Sequence, residues 1–340
     1  SRAMCTGCMI PTSLLFALAC GEAGVDAGGA GGSGGLVASG GSEATGGSAS
    51  VGGSSAGGSG GGTTGGSSGT GGAGGADPIV CPTPTLAAGD ETRTISVGGT
   101  SRSYVLHVPS GYSGSSAVPL IVDFHPLGGS GSAERSSSPY PAQTDAEGVI
   151  MAFPSGLSGP MGGAWNVGPC CVQGADDLSF ARALVADVAA SACIDPKRVY
   201  AAGFSMGGGM SHYLACQASD LFAAVAPAAF DLLEENVEGC TPERPITVVS
   251  FRGTADSVVP YAGGYSNVVT GMPINFLGAV ETFEGWGARN GCSGAPSAAD
   301  GSGCQKFSGC EDDVDVVLCT AQGGGHVAGD ASIAWPILKQ

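Results

Sequence analysis

Residues 81–340 predict an α/β domain, a mostly parallel sheet flanked by helices with an antiparallel hairpin at its start. Three observations point there. Apolar runs of strand length recur along this segment and alternate with helical periodicity. Two early runs alternate polar and apolar residues about a Gly-Gly pair. One later run passes through a Gly-x-Ser-x-Gly turn directly into a helical pattern.

The elements follow in order. Thr92–Val97 and Arg102–Val108 flank Gly98-Gly99, a hairpin signal. Leu120-Ile121-Val122-Asp123-Phe124 is a compact apolar run of the kind that forms buried strands, and Val149–Phe153 is another. Asp177 opens a helical pattern that sets Leu178, Ala181, Leu184, Val185 and Val188 on one face. Val199–Phe204 is the strand before the glycine turn, and Met210, Tyr213 and Leu214 give the helix after it its apolar side. Ala223–Ala226 and Ile246–Phe251 are further strands, Val314–Leu318 is the last, and Ala331–Leu338 is a closing helix.

Composition divides the 340 residues. Positions 1–26 read as an export signal: Ser13–Ala19 is apolar but too short to span a bilayer, and small residues precede Cys20. The segment resembles a bacterial lipoprotein signal with Cys20 as the lipidated residue, a plain cleaved signal being the alternative. Positions 27–80 are a linker, almost wholly Gly, Ser, Ala and Thr up to 77, too poor in apolar surface to offset its ordering entropy. As a Gly-rich coil it would span about 40 Å, a tether between a lipid anchor and the domain. The formal charge is −17, from 12 Lys+Arg against 29 Asp+Glu, and nothing basic clusters. Nucleic acid is therefore excluded as a partner on electrostatic grounds. Of 13 cysteines, 10 lie from Cys81 onward, none of them as Cys-x-x-Cys. An even set spread through a domain predicts disulfides, an oxidising compartment and an extracellular or cell-surface location.

Ser205 is the candidate nucleophile. In Val199–Gly209 a strand, a Gly-Phe-Ser-Met-Gly turn and a glycine-eased helix start follow one another, the arrangement that lifts one hydroxyl above the end of a sheet. The same five-residue pattern at Ser33, Ser55, Ser59 and Ser67 has no strand before it and no apolar helix after it. A serine needs a base, and there are four histidines. His107 sits inside an early strand, His125 ends the Leu120–Phe124 strand, and His212 lies two turns along the elbow helix. His326 follows the last strand in a Gly323-Gly324-Gly325 loop, where a base can reach Ser205. The acid that orients it is Asp256, after the Ile246–Phe251 strand, with Asp231 one strand earlier as the rival. Oxyanion donors are the N–H groups of Met206 and of Leu127, because Pro126 has none. Trp165 is a candidate wall of the substrate site, with core packing as the alternative. This chemistry calls for no metal and no organic cofactor.

With these residues in hand the chain resembles secreted α/β-hydrolases of the feruloyl esterase and polyhydroxybutyrate depolymerase family, from about Tyr104 to the C-terminus. The shared landmarks are Tyr104–Pro109, the strand ending in His125, Trp165-Asn166 with Cys170-Cys171, Asp176-Asp177, and Ile194–Tyr200. They continue with Gly203–Gly208, Gly253–Asp256 with Val259-Pro260-Tyr261, and Gly323–His326. The resemblance implies the α/β-hydrolase fold and Ser205, Asp256 and His326 as a triad. It implies a carboxylic ester substrate, either hydroxycinnamoyl groups on cell-wall polysaccharide or a polyhydroxyalkanoate-type polyester. Two departures stand out: His125-Pro126 replaces the usual His-Gly, and Val327-Ala328-Gly329 replaces a common Trp-Pro-Gly. The first alters the oxyanion loop and the second the acyl pocket. An acyltransferase or serine peptidase on the same fold, and an inactive surface-binding module, are the competing readings.

Overall fold

The computed structural model describes residues 79–340, so the expected export segment with Cys20 and the tract up to residue 78 lie outside the described residues. Nine strands form the main sheet among the described residues: β1 (Gly89–Val97), β2 (Thr100–Val108), β3 (Val118–Phe124), β4 (Ile150–Pro154), β5 (Ile194–Phe204), β6 (Ala224–Ala228), β7 (Thr247–Gly253), β8 (Cys304–Phe307) and β9 (Val316–Ala321). Their spatial order is β1-β2-β4-β3-β5-β6-β7-β9-β8. The run β4-β3-β5-β6-β7-β9 is parallel, and the hairpin β1-β2 and the edge strand β8 are antiparallel. Gly98 and Gly99 turn the hairpin with φ of 57° and 83°, values an L side chain rarely adopts.

Among the described residues five helices of seven or more residues flank the sheet: α1 (Gly131–Ser137), α2 (Asp177–Ser191), α3 (Met206–Gln217), α4 (Ala279–Arg289) and α5 (Ala331–Leu338). Their starts are written locally. Ser130, Asp176 and Asp330 accept hydrogen bonds from the N–H groups of Ala133, Ser179 and Ser332. Alternate residues of the central strands point to opposite faces, and both faces are covered. Leu120, Val122 and Phe124 pack with Phe180, Leu184, Met210 and Trp286 on one side. Ile121, Tyr200, Val249 and Val317 pack with Tyr140 and Trp335 on the other.

The sequence order reverses where β3 neighbours both β4 and β5. Loops leaving the carboxyl ends of β3 and β5 therefore diverge to opposite faces and open a crevice, the place where open α/β sheets bind ligands.

Some elements depart from expectation. The last parallel strand begins at Val316 rather than Val314, after the turn Glu311–Asp313. Helix α4 and strand β8 carry signals too weak to read. Gly285 and Gly287 interrupt the α4 pattern, and Gly287 is there because a Cβ would meet the Phe307 ring of β8 at 2.8 Å. Strand β8 has only four residues, two of them polar. All ten cysteines of the domain are paired: Cys81–Cys193, Cys170–Cys171, Cys216–Cys240, Cys292–Cys310 and Cys304–Cys319.

Candidate active site

The elbow is built from glycines at three close approaches. A Cβ on Gly203 would strike the backbone of Gly207, and one on Gly207 would strike the carbonyl of Phe124. One on Gly208 would meet the Ala228 carbonyl at 2.6 Å. With those approaches permitted, β5 turns into α3 through Ser205, whose φ of 55° and ψ of −121° are costly for a non-glycine residue. Its N–H is tied to the carbonyl of Ala228 at 2.9 Å, so the neighbouring strand holds the strained turn.

Ser205, His326 and Asp256 converge from three strand ends. His326 Nε2 lies 2.9 Å from Ser205 Oγ, and His326 Nδ1 lies 2.8 Å from Asp256 Oδ2. A carboxylate accepts only, so Nδ1 carries the proton and Nε2 is free to accept one from the hydroxyl. The other oxygen of Asp256 accepts from the N–H groups of Val258 and Val259 at 2.8 and 2.9 Å. The Phe204 ring packs against the imidazole with centroids 5.0 Å apart.

The loops that bring base and acid together are zipped by backbone. Ala255 N–H donates to the Gly324 carbonyl at 2.8 Å and Thr254 N–H to that of Ala321 at 3.1 Å. Gly323 N–H donates to Thr254 Oγ1 at 2.8 Å. Gly253 is glycine because a Cβ there would collide with the carbonyls of Gly324 and Gly325. The Gly-rich loop thus has a fixed register against the loop of Asp256.

The candidate donors are Met206, which opens α3, and Leu127, in the loop after β3. Met206 is the first residue of α3, where N–H groups have no partner within the helix. In the β3 loop Gly128 N–H is engaged with the Gly163 carbonyl and Gly129 N–H with that of Pro126. Among the described residues the N–H groups of Met206 and Leu127 donate to nothing. The Gly207–Phe124 contact brings the two segments side by side.

The remaining candidates are elsewhere or have other duties. His125 is fully buried: Gly156 N–H donates to its Nε2 at 2.9 Å, so its Nδ1 donates to the Pro126 carbonyl at 2.7 Å. Burial holds its pKa below the usual histidine value. His212 accepts from Trp286 Nε1 at 3.1 Å, and burial pushes it down to about 3. His107 is held on the hairpin side by Asp90 and Asp145. Asp231 is buried against Arg252, and burial outweighs that partner and raises it to about 6.

The expectation for Trp165 is corrected. It is 0% exposed, edge-on to Phe124 at 5.1 Å, and its Nε1 donates to the His125 carbonyl at 2.9 Å. It is a strut beneath the loop that carries Leu127 and forms no wall of the crevice. Arg252 was not singled out by its sequence. It bonds the Val259 carbonyl at 2.7 Å, pairs with Asp231, and approaches Asp256 Oδ2 at 4.0 Å. An arginine near the end of a largely apolar strand, four residues before the candidate acid, was the available signal.

Known proteins resemble this chain in sequence and in fold. No protein-family model matches the chain. Feruloyl esterase B of Piromyces equi is 48% identical over 242 residues, covering 70% of this chain and 45% of that protein, so this chain spans about half its length. Feruloyl esterase C of Emericella nidulans is 30% identical over 236 residues, covering 66% of this chain and 76% of that protein. Among solved structures, acetyl xylan esterase from Aspergillus awamori superposes with a TM-score of 0.54 at 17% identity, over 73% of this chain and 99% of that one. At that identity the match speaks for the α/β-hydrolase fold. On sequence, fold and crevice together, the chain belongs to the feruloyl esterase family.

Proposed function

We propose that this protein hydrolyses feruloyl-type hydroxycinnamoyl esters carried on plant cell-wall polysaccharide, through an acyl-enzyme on Ser205. The observation that carries the reading is the unbroken run of contacts from Ser205 Oγ through His326 to Asp256, at 2.9 and 2.8 Å. The 48% identity to a feruloyl esterase supplies the acyl group.

Ser205 Oγ attacks the ester carbonyl while its proton passes to His326 Nε2. Asp256 holds the ring in the required tautomer and stabilises the imidazolium. Charge that develops on the carbonyl oxygen is met by the N–H groups of Met206 and Leu127. His326 returns its proton to the alcohol oxygen as the C–O bond breaks, and the polysaccharide hydroxyl leaves. Water then repeats the sequence on the acyl-enzyme, giving up a proton to His326, and releases the hydroxycinnamic acid and free Ser205. Five disulfides suit an enzyme working outside the cell. Lipidation of Cys20, with the Gly/Ser tract as tether, would hold it at the cell surface.

The test compares the purified protein on methyl ferulate, p-nitrophenyl butyrate and a polyhydroxybutyrate film. The expected result is the highest kcat/KM on methyl ferulate and no clearing of the film. Film clearing without ferulate release would overturn the substrate assignment.

A further inference from the structure

A cavity of about 310 Å³ lies beside the reaction centre, and its walls come from the segments that carry the chemistry. Pro126 precedes Leu127, Phe204 precedes Ser205, and Ala328 follows His326 by two residues; all three line it. Asp123, Glu134 and Tyr140 line it too. The volume is at the low end for small-ligand pockets, enough for one aromatic acyl group and too little for a run of sugars.

Its polar groups are odd ones to bury. Asp123 and Glu134 are 2% and 6% exposed. Ser138 Oγ donates to one oxygen of Asp123 at 2.5 Å. Among the described residues, the other oxygen of Asp123, both oxygens of Glu134 and the Tyr140 hydroxyl make no hydrogen bond. Among the described residues no cation compensates the pair. Arg135, next along α1, is turned to Asp90 and His107 at 3.0 Å. Burial raises the pKa of both carboxyls, and the charge of Asp123 raises that of Glu134 further. Two nearly buried carboxyls side by side on an apolar cavity cost stability, and groups kept at such a cost cluster at functional sites.

We propose that this cavity is the acyl subsite, and that Asp123 and Glu134 together bind the para-hydroxyl of a hydroxycinnamoyl group. This rests on the esterase reading above. A carboxyl pair that retains one proton offers an acceptor and a donor side by side, which matches a phenol, itself both donor and acceptor. An ammonium group would need both carboxyls ionised. The apolar walls accept the ring and its propenoyl arm, and Phe204, Pro126 and Ala328 set the cavity against the segments that carry Ser205, Leu127 and His326.

The test is a specificity ratio: kcat/KM for methyl 4-hydroxycinnamate over that for methyl 4-methoxycinnamate, which keeps the ring and loses the donor. It is measured for wild type, Glu134→Leu and Asp123→Asn, with p-nitrophenyl acetate as a substrate too short to reach the pair. A site built to bond a hydroxyl discriminates strongly against its loss. The expected wild-type ratio is at least about 10, falling at least about fivefold in each variant. Inhibition of the wild type by 4-hydroxycinnamic acid, tighter than by its 4-methoxy analogue, provides a second readout that needs no variant. A wild-type ratio near 1, or a ratio unchanged in both variants, overturns the subsite while esterase activity stands. Failure of the wild type on p-nitrophenyl acetate itself removes the esterase reading first.

Discussion

Ser205 adopts a backbone conformation that few serines tolerate, and three glycines make it attainable. The tightest is Gly207, which faces the Phe124 carbonyl with no room for a methyl group. Gly207→Ala must push the β3 loop off α3. The expected result is a loss of about 3 kcal/mol in denaturant unfolding, with esterase activity down at least about 100-fold. Glu134 and Asp123 make a prediction of opposite sign. Their folded pKa values lie above the unfolded ones of about 4. The folded state therefore holds protons that the unfolded chain has lost, and stability is present below pH about 4 and lost as pH rises through the folded values. Glu134→Leu is expected to raise Tm relative to wild type at pH 8 by several degrees more than at pH 4, as scanning calorimetry at both values will show. Some of this was legible in the sequence. With four histidines, chemistry and strand order alone single out His326. Asp231 and Asp256 were harder to separate because both follow strands, and in the fold both gather about Arg252. Trp165 stayed undecided between substrate wall and core because its neighbour in sequence says nothing of its neighbour in space, the carbonyl of His125.

At the scale of elements, the site depends on loops whose register is fixed by one another. The segment Gly253–Asp256 and the segment Ala321–His326 share two backbone hydrogen bonds and one to the Thr254 hydroxyl, and no Cβ fits at Gly253 between them. Gly253→Ala is expected to part them and pull Asp256 from His326. A kcat loss of about 100-fold with KM within about threefold and an unchanged melting curve is the signature of a displaced relay, measurable on methyl ferulate. A parallel loss of Tm would instead mark a packing defect. The parallel core was readable because strands buried on both faces are near-continuous apolar runs, as Leu120–Phe124 is apart from Asp123. Helix α1, which brings Glu134 to the cavity, gave no such signal. Its seven residues include three serines and no large apolar side chain, and it is held by the Ser130 cap and its contact with the sheet. Helix α4 was masked by the glycines that let β8 approach it.

For the molecule as a whole, cross-links do part of the work of the core. Cys81–Cys193 closes a span of 112 residues, pinning the segment before the hairpin to the turn between α2 and β5. Cys304–Cys319 joins directly opposed residues of β8 and β9. Replacing Cys81 and Cys193 with serine is expected to cost about 2–5 kcal/mol in guanidinium unfolding, because the long loop regains its freedom in the unfolded chain. The even cysteine count announced cross-links, but pairing is a matter of spatial neighbours and had to come from the fold. The central claim, that a feruloyl group is passed to Ser205 on its way to water, is tested most directly by quenching the reaction with p-nitrophenyl ferulate early and mapping the protein by mass spectrometry. The account predicts one feruloyl adduct on the peptide that contains Ser205, absent from Ser205→Ala, whose kcat is lower by at least about 1,000-fold. Turnover without an adduct at Ser205, or a Ser205→Ala variant that retains more than about a tenth of the activity, would contradict it.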